Sequence, residues 1–267
     1  MSERPTILIF DSGLGGLTVF REIKAARPDA RFFYVADDAF FPYGAHGEAE
    51  LVGRVVPLMG KLIDEHRPDL IVIACNTAST IVLPHLRERY AVSFVGTVPA
   101  IKPACAASQT KRVSVLGTEG TVSREYTRAL IRDFANGAEV TLIGSARLAR
   151  LAEAELRGMP ADDTAIAQEI APCFIDESGR RTDTVVLACT HFPLLLERLE
   201  RLAPWPVSFI DPAPAIARRV VELIGASDAA ATTSTPASAE IVFTSGKPPS
   251  EALKATLARF GLTCISR

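Results

Sequence analysis

Apolar residues along this chain gather in short, unbroken, β-branched runs. Each run is followed by a turn rich in Gly, Ser, Thr or Asn, and then by a longer amphipathic stretch. TILIF (6–10) leads into DSGLGG, RFFYVA (31–36) into DDAFFPYG, DLIVIA (69–74) into CNTAS, RVSVLG (112–117) into TEGTV, AEVTLIG (138–144) into SARLARLAEAEL, and DTVVLA (183–188) into CTHFP. Continuous rather than alternating apolar character predicts strands buried on both faces of a parallel sheet. Residues 48–66 and 122–135 predict helices between them. Such alternation predicts an α/β fold with right-handed crossovers, in which ligands bind beyond the carboxyl ends of the strands. EIVFTSG (240–246) and residues 249–260 predict one more strand and helix, after an Ala/Ser/Thr-rich exposed connection over 225–239.

Two of these patterns recur. IFDSGLGGLTV and VLGTEGTV both read as strand, tight turn and helix start. VIACNTAS and VLACTHFP both read as apolar strand, Ala, Cys and a Thr-containing turn, in the same order in each half. The echo predicts two similar lobes facing one another, each a parallel sheet flanked by helices and each offering one cysteine at a strand end.

Composition trims the alternatives. At 267 residues and 48% hydrophobic, the chain can bury one large core or two modest ones. Lys and Arg number 29 against 31 Asp and Glu, for a net charge of −2, so no nucleic-acid partner is expected. Arg147 to Arg150 is the densest basic run and reads as a solvated helix face. MSERPTILIF lacks the features of a signal peptide and no run is long enough to cross a bilayer, so a cytoplasmic protein with no membrane association is expected. The five cysteines are odd in number and none stand at CxxC spacing, which argues against a disulfide framework or a zinc site.

A free cysteine is ordinarily a small core residue, and Cys105, Cys173 and Cys264 are read that way. Cys75 and Cys189 differ because each closes a buried strand and opens a polar turn, where a helix N-terminus would favour a thiolate. Two opposed thiols permit one chemistry in particular. One takes a proton from a carbon and the other delivers a proton to the opposite face, inverting that carbon. Asp11, which otherwise caps the helix after DSGLGG, and His191, two residues past Cys189, are candidate proton partners. Ser12, Asn76, Thr77, Thr118, Thr121 and Thr190 are donors at strand ends, able to hold carboxylates. DSGLGG could cradle an anion at a helix N-terminus, but it lacks GxGxxG spacing. No lysine lies in these motifs, so a pyridoxal phosphate site is not evident and no cofactor is expected.

These blocks, with PYG at 42–44 and LACTHFPLL at 187–195, resemble the bacterial glutamate racemases of the aspartate/glutamate racemase superfamily, in the same order and over about two-thirds of the chain. The resemblance implies cofactor-independent interconversion of L- and D-glutamate, supplying D-glutamate for peptidoglycan, by a homodimer with its active site between two lobes. It implies that Cys75, supported by Asp11, acts on D-glutamate, and that Cys189, supported by His191, acts on L-glutamate. Ser12, Pro42, Tyr43, Gly44, Asn76, Thr77, Thr118, Thr121 and Thr190 would contact substrate, and Glu153 would match an acidic residue after the fifth predicted strand. It further implies that the chain crosses between lobes twice, with 1–97 and 210–267 in the first lobe and 98–209 in the second. The chain departs from the family's pattern at Asp37-Asp38, Phe40, Ser145-Ala146 and an Ala/Thr tract near 229–233.

Aspartate racemisation is the nearest competing reading, since only pocket depth separates the two substrates. A decarboxylase or maleate isomerase of the same fold, a module that binds an acidic ligand without turning it over, and a thiol redox protein are the others.

Overall fold

The computed structural model describes residues 4–227 and 238–265. In chain order the elements are β1 (Thr6–Asp11), α1 (Leu17–Ala26), β2 (Arg31–Ala36), α2 (Glu48–His66), β3 (Leu70–Ile73), α3 (Asn76–Arg89), β4 (Ser93–Gly96), α4 (Ile101–Ala107), β5 (Arg112–Thr118), α5 (Glu119–Val122), α6 (Glu125–Phe134), β6 (Glu139–Ser145), α7 (Leu148–Leu156), α8 (Asp163–Ile170), β7 (Asp176–Glu177), β8 (Arg180–Arg181), β9 (Thr184–Ala188), α9 (Leu196–Leu202), β10 (Ser208–Ile210), α10 (Ala213–Ile224), β11 (Ala239–Phe243), α11 (Glu251–Phe260) and β12 (Thr263–Cys264). The expected strands and helices are present with ends displaced by a few residues. The short β4, β10 and β12 and the β7–β8 hairpin are additions.

The strands form two parallel sheets, ordered β12-β11-β2-β1-β3-β4 and β10-β9-β5-β6. In the first, alternate side chains of one strand enter different cores. Ile7 and Ile9 pack with α1 and α10 residues such as Phe20 and Val220, while Leu8 and Phe10 pack with α2 and α3 residues such as Met59 and Val82. Each fully buried side chain of this kind contributes roughly 1.5–3 kcal/mol. The second sheet is covered in the same way, Val185 and Leu187 facing one core and Val186 and Ala188 the other. Burial on both faces explains why the runs are continuous and not alternating.

The order of the strands places the site. In the first sheet the chain runs from β1 outward to β2 and then returns to the other side of β1 with β3. In the second it runs from β5 to β6 and returns to β5 with β9. Each lobe therefore has a crevice at its strand ends where the connections diverge. Asp11 and Cys75 close β1 and β3 at one crevice, and Thr118 and Cys189 close β5 and β9 at the other. Among the described residues no helix is long and apolar enough to cross a membrane. The low-complexity tract expected as a connection lies, from 228 to 237, outside the described residues.

Candidate active site

A small, tightly closed cavity lies between the two crevices. Ser12, Phe41, Pro42, Tyr43, Gly44, Cys75, Asn76 and Thr77 line it from the first lobe, and Thr118, Thr121, Ala149, Cys189, Thr190 and His191 from the second. Both candidate thiols thus reach one space from opposite lobes. Every residue singled out in the sequence lines this cavity except Asp11 and Glu153, which lie directly behind it. Phe41 and Ala149 are the additions.

The two cysteines are held differently. Cys75 is the N-cap of α3, and its Sγ accepts from the Ala78 N–H at 3.5 Å. Burial, aided by the charge of Asp11, nevertheless pushes this thiol up to about 12, against the Ala78 N–H and the Ser12 hydroxyl, which pull the other way. Cys189 is followed by a turn and a short 3-10 helix at Phe192–Leu195, so the helix N-terminus expected there is not the device that serves it. Its neighbour is His191, whose Nδ1 lies 3.9 Å from Sγ.

Asp11 is completely buried. Its Oδ2 accepts from the Gly13 and Gly16 N–H groups at 3.2 and 3.1 Å, both in the turn before α1, whose N-cap is Gly16 with no side-chain cap, so Asp11 ties the loop and does not cap the helix as anticipated; Oδ1 has no hydrogen-bond partner. Burial raises its carboxyl above the ordinary range, with His191 and the two N–H groups opposing. His191 and Glu153 form a buried pair, Nε2 to Oε2 at 2.8 Å. Burial disfavours charge on both, yet their mutual attraction, with Cys189 acting on His191 and Leu14 N–H and Arg157 on Glu153, prevails. Glu153 is held low and His191 high. Glu153 faces inward because it follows the wall residue Ala149 by four positions on α7, on the same helical face. Arg157, four positions further on, grips Oε1 from the solvent side at 2.8 Å.

The glycine-rich loop corrects one expectation. It does bind an anion at its N–H groups, but the anions belong to the protein. Gly13 and Gly16 donate to Asp11, Leu14 donates to Glu153 Oε2 at 3.0 Å, and Gly15 N lies 3.1 Å from His191 Nε2. The Gly13, Leu14 and Gly16 N–H groups are thus taken by the protein's own carboxylates. Opposite, three hydroxyls form a triangle across the lobes: Thr77 lies 3.2 Å from both Thr118 and Thr121, which are 3.0 Å apart. Both polar atoms of the Asn76 side chain are buried and without partners, so this amide has donors and an acceptor to offer a ligand. No Lys or Arg is among the wall residues.

A sequence model of the Asp/Glu/hydantoin racemases matches residues 17–220. The chain belongs to that family. Among its curated relatives, the glutamate racemase of Brucella anthropi is 58% identical over 224 residues, covering 84% of this chain and 80% of the relative. The glutamate racemase of Brucella suis biovar 1 is 56% identical over 225 residues, covering 84% and 81%. The crystal structure of Escherichia coli glutamate racemase with L-glutamate and the activator UDP-MurNAc-ala superposes with a TM-score of 0.86 at 40% identity, over 98% of each chain. In this racemase-family chain the supports that sequence reasoning did not single out are Phe41, Tyr34 and Arg157. Phe41 sets its ring 5.4 Å from that of His191. Tyr34 donates its hydroxyl to Gly13 O at 3.0 Å behind the loop. Arg157 carried a signal only in its spacing, four residues after Glu153 and directly past the amphipathic stretch SARLARLAEAEL. Phe41 and Tyr34 carried none.

Proposed function

We propose that this racemase-family protein interconverts L- and D-glutamate without a cofactor, by proton transfer between two cysteines. The observation that carries the reading is the convergence of Cys75 and Cys189, from matching strand ends of opposite lobes, on one small cavity walled by hydroxyl and amide donors. Relatives at 56–58% identity that are glutamate racemases make glutamate the substrate of choice.

The chemistry follows from the settings of the two thiols. In the resting state Cys75 carries a proton, since burial and Asp11 hold its thiol up at about 12. Cys189 stands beside an imidazole of raised proton affinity, so His191 is the group placed to take the thiol proton when Cys189 acts as base. With L-glutamate bound, Cys189 removes the α-proton from one face and Cys75 delivers its own to the other. In the reverse direction Cys75 must first lose its proton, and the unpartnered Oδ1 of Asp11 is the acceptor at hand. Charge developing on the substrate carboxylate in the transition state meets preorganised donors: the Thr77, Thr118 and Thr121 hydroxyls, the Asn76 amide and the first N–H groups of α3. Ser12, Thr190 and the Pro42–Gly44 wall complete the contacts with substrate. No wall lysine is present for a pyridoxal Schiff base.

The same reading assigns 1–97 with 210–267 to one lobe and 98–209 to the other, and places the enzyme in the cytoplasm as a homodimer supplying D-glutamate for peptidoglycan. The test is optical. Dialysed protein with no added cofactor should drive the circular dichroism of L-glutamate to zero, and that of L-aspartate far more slowly. Faster loss with aspartate would transfer the assignment to that substrate. No change with either, in folded protein with reduced thiols, would leave only ligand binding.

A further inference from the structure

Behind the wall formed by Pro42, Tyr43 and Gly44 lies a carboxylate that the mechanism leaves without a task. Asp37 follows β2 directly, is completely buried, and ties its N–H to Asp11 O at 2.8 Å, so it stands at the same sheet edge as the reacting groups. Its two oxygens collect donors from three separate segments. The Tyr43 hydroxyl lies at 2.6 Å, Arg54 Nε and Nη2 of α2 at 3.1 and 2.6 Å, and the Thr244 hydroxyl, just past β11, at 2.5 Å. Thr244 is itself anchored, its N–H donating to Ala36 O at 3.0 Å. Burial opposes the charge on Asp37, yet Arg54, Thr244 and Tyr43 hold its carboxyl below the ordinary range.

What Tyr43 fixes is the wall's position against the other lobe. The Gly44 α-carbon is pressed against Thr118, close enough that an added Cβ would lie 3.1 Å from its side chain. On the same side Gly120 meets the Gly44 carbonyl, where an added Cβ would also lie at 3.1 Å. The distance from this wall to the hydroxyl triangle therefore depends on where the Asp37 carboxylate holds the Tyr43 oxygen. A buried ion pair of this kind is weak as a source of stability, because apolar replacements do as well or better. Charge-assisted bonds do supply geometric definition, and four donors on one carboxylate leave the phenol one place to be.

We infer that Asp37, Arg54 and Thr244 act as positioning residues that set the Tyr43–Gly44 wall against Thr118 and thereby match the cavity to glutamate over its one-methylene-shorter homologue, aspartate. The inference rests on the racemase reading and deepens it. It also makes the returning C-terminal segment, through Thr244, part of the substrate-fitting machinery.

The experiment compares Thr244→Val, Thr244→Ser and Asp37→Asn with the unmutated protein. Turnover of glutamate and aspartate is measured, and calorimetric binding of each acid is measured on the same samples. Thr244→Val should raise KM for glutamate about tenfold with kcat changed less than about threefold, and shrink the preference for glutamate over aspartate about tenfold. Thr244→Ser should recover most of both, and Asp37→Asn should act in the same direction as Thr244→Val and further. If Asp37→Asn does not fold, the two Thr244 variants decide. Unchanged KM and preference in folded Thr244→Val, an equal loss for both acids, or a serine variant no better than valine overturns the inference. Should the unmutated protein bind glutamate without racemising it, the racemase reading falls while the binding ratios still judge the wall. Failure to bind either acid overturns both.

Discussion

A thiol is a weak base until something takes its proton, and the proposed mechanism gives the two cysteines different takers. Cys75 looks to a buried carboxylate with one free oxygen, and Cys189 to an imidazole locked to Glu153. Replacing either with alanine removes one of the two proton carriers, so Cys75→Ala and Cys189→Ala should each lower kcat/KM by about 10³-fold while the melting transition persists. Polarimetry beside calorimetry checks this, and full activity in either variant contradicts the two-thiol account. The Glu153–His191 pair makes a second prediction, in stability. Glu153 is held below its ordinary 4.5, so its contribution is present above that pH and lost as pH falls through the lowered value. His191 is held above its ordinary 6.5, so its contribution is full below that pH and lost as pH rises through the raised value. The gap in melting temperature between the unmutated protein and Glu153→Gln should therefore be widest from about 4.5 to 6.5 and narrow on either side. A gap independent of pH would show that the pair is not ionised as described.

At the scale of elements, the C-terminal segment is tied to the first sheet by more than strand pairing. Arg27, at the end of α1, donates to the Ile224 and Gly225 carbonyls that close α10, and is itself held by Asp29 at 2.7 Å with both side chains nearly buried. Its guanidinium lowers the Asp29 carboxyl to about 2 from 3.8. Asp29→Asn should then cost about 2 kcal/mol at neutral pH. That cost should vanish as acid protonates the native carboxylate below about 2. Urea unfolding of both proteins at two pH values measures it. This tie was not legible in the sequence, since nothing local relates Arg27 to a helix end roughly two hundred residues away. The strands were legible because burial on both faces leaves a continuous apolar run. Cys75 and Cys189 were legible because each breaks such a run into polar residues. Three-residue strands such as SFI at β10 leave no such trace. Asp37 and Thr244 were not legible either, because their meaning lies in contacts between segments far apart in the chain.

Across the whole molecule, activity depends on two lobes meeting at atomic tolerance. The loop of the first lobe lies so close to the second that a Cβ on Gly15 would fall 2.3 Å from His191 Nδ1. Gly15→Ala should therefore displace His191 or part the lobes, lowering kcat/KM by about 10²-fold or more. Each lobe keeps its own cores, so the far-UV spectrum should survive, and an alanine variant with full activity would show that lobe contact is looser than described. The same opposition of lobes is the reason for proposing inversion instead of simple exchange, since a substrate held in the cavity between Cys75 and Cys189 would have one thiol on each side of its α-carbon. The most direct test is to run the reaction in heavy water from L-glutamate and again from D-glutamate, stop it at low conversion, and read the α-position of both enantiomers by mass spectrometry. Two separate proton carriers predict deuterium in the product enantiomer and almost none in the remaining substrate, in both directions. Deuterium appearing equally in recovered substrate and product would mean that one group serves both faces, and would contradict the account.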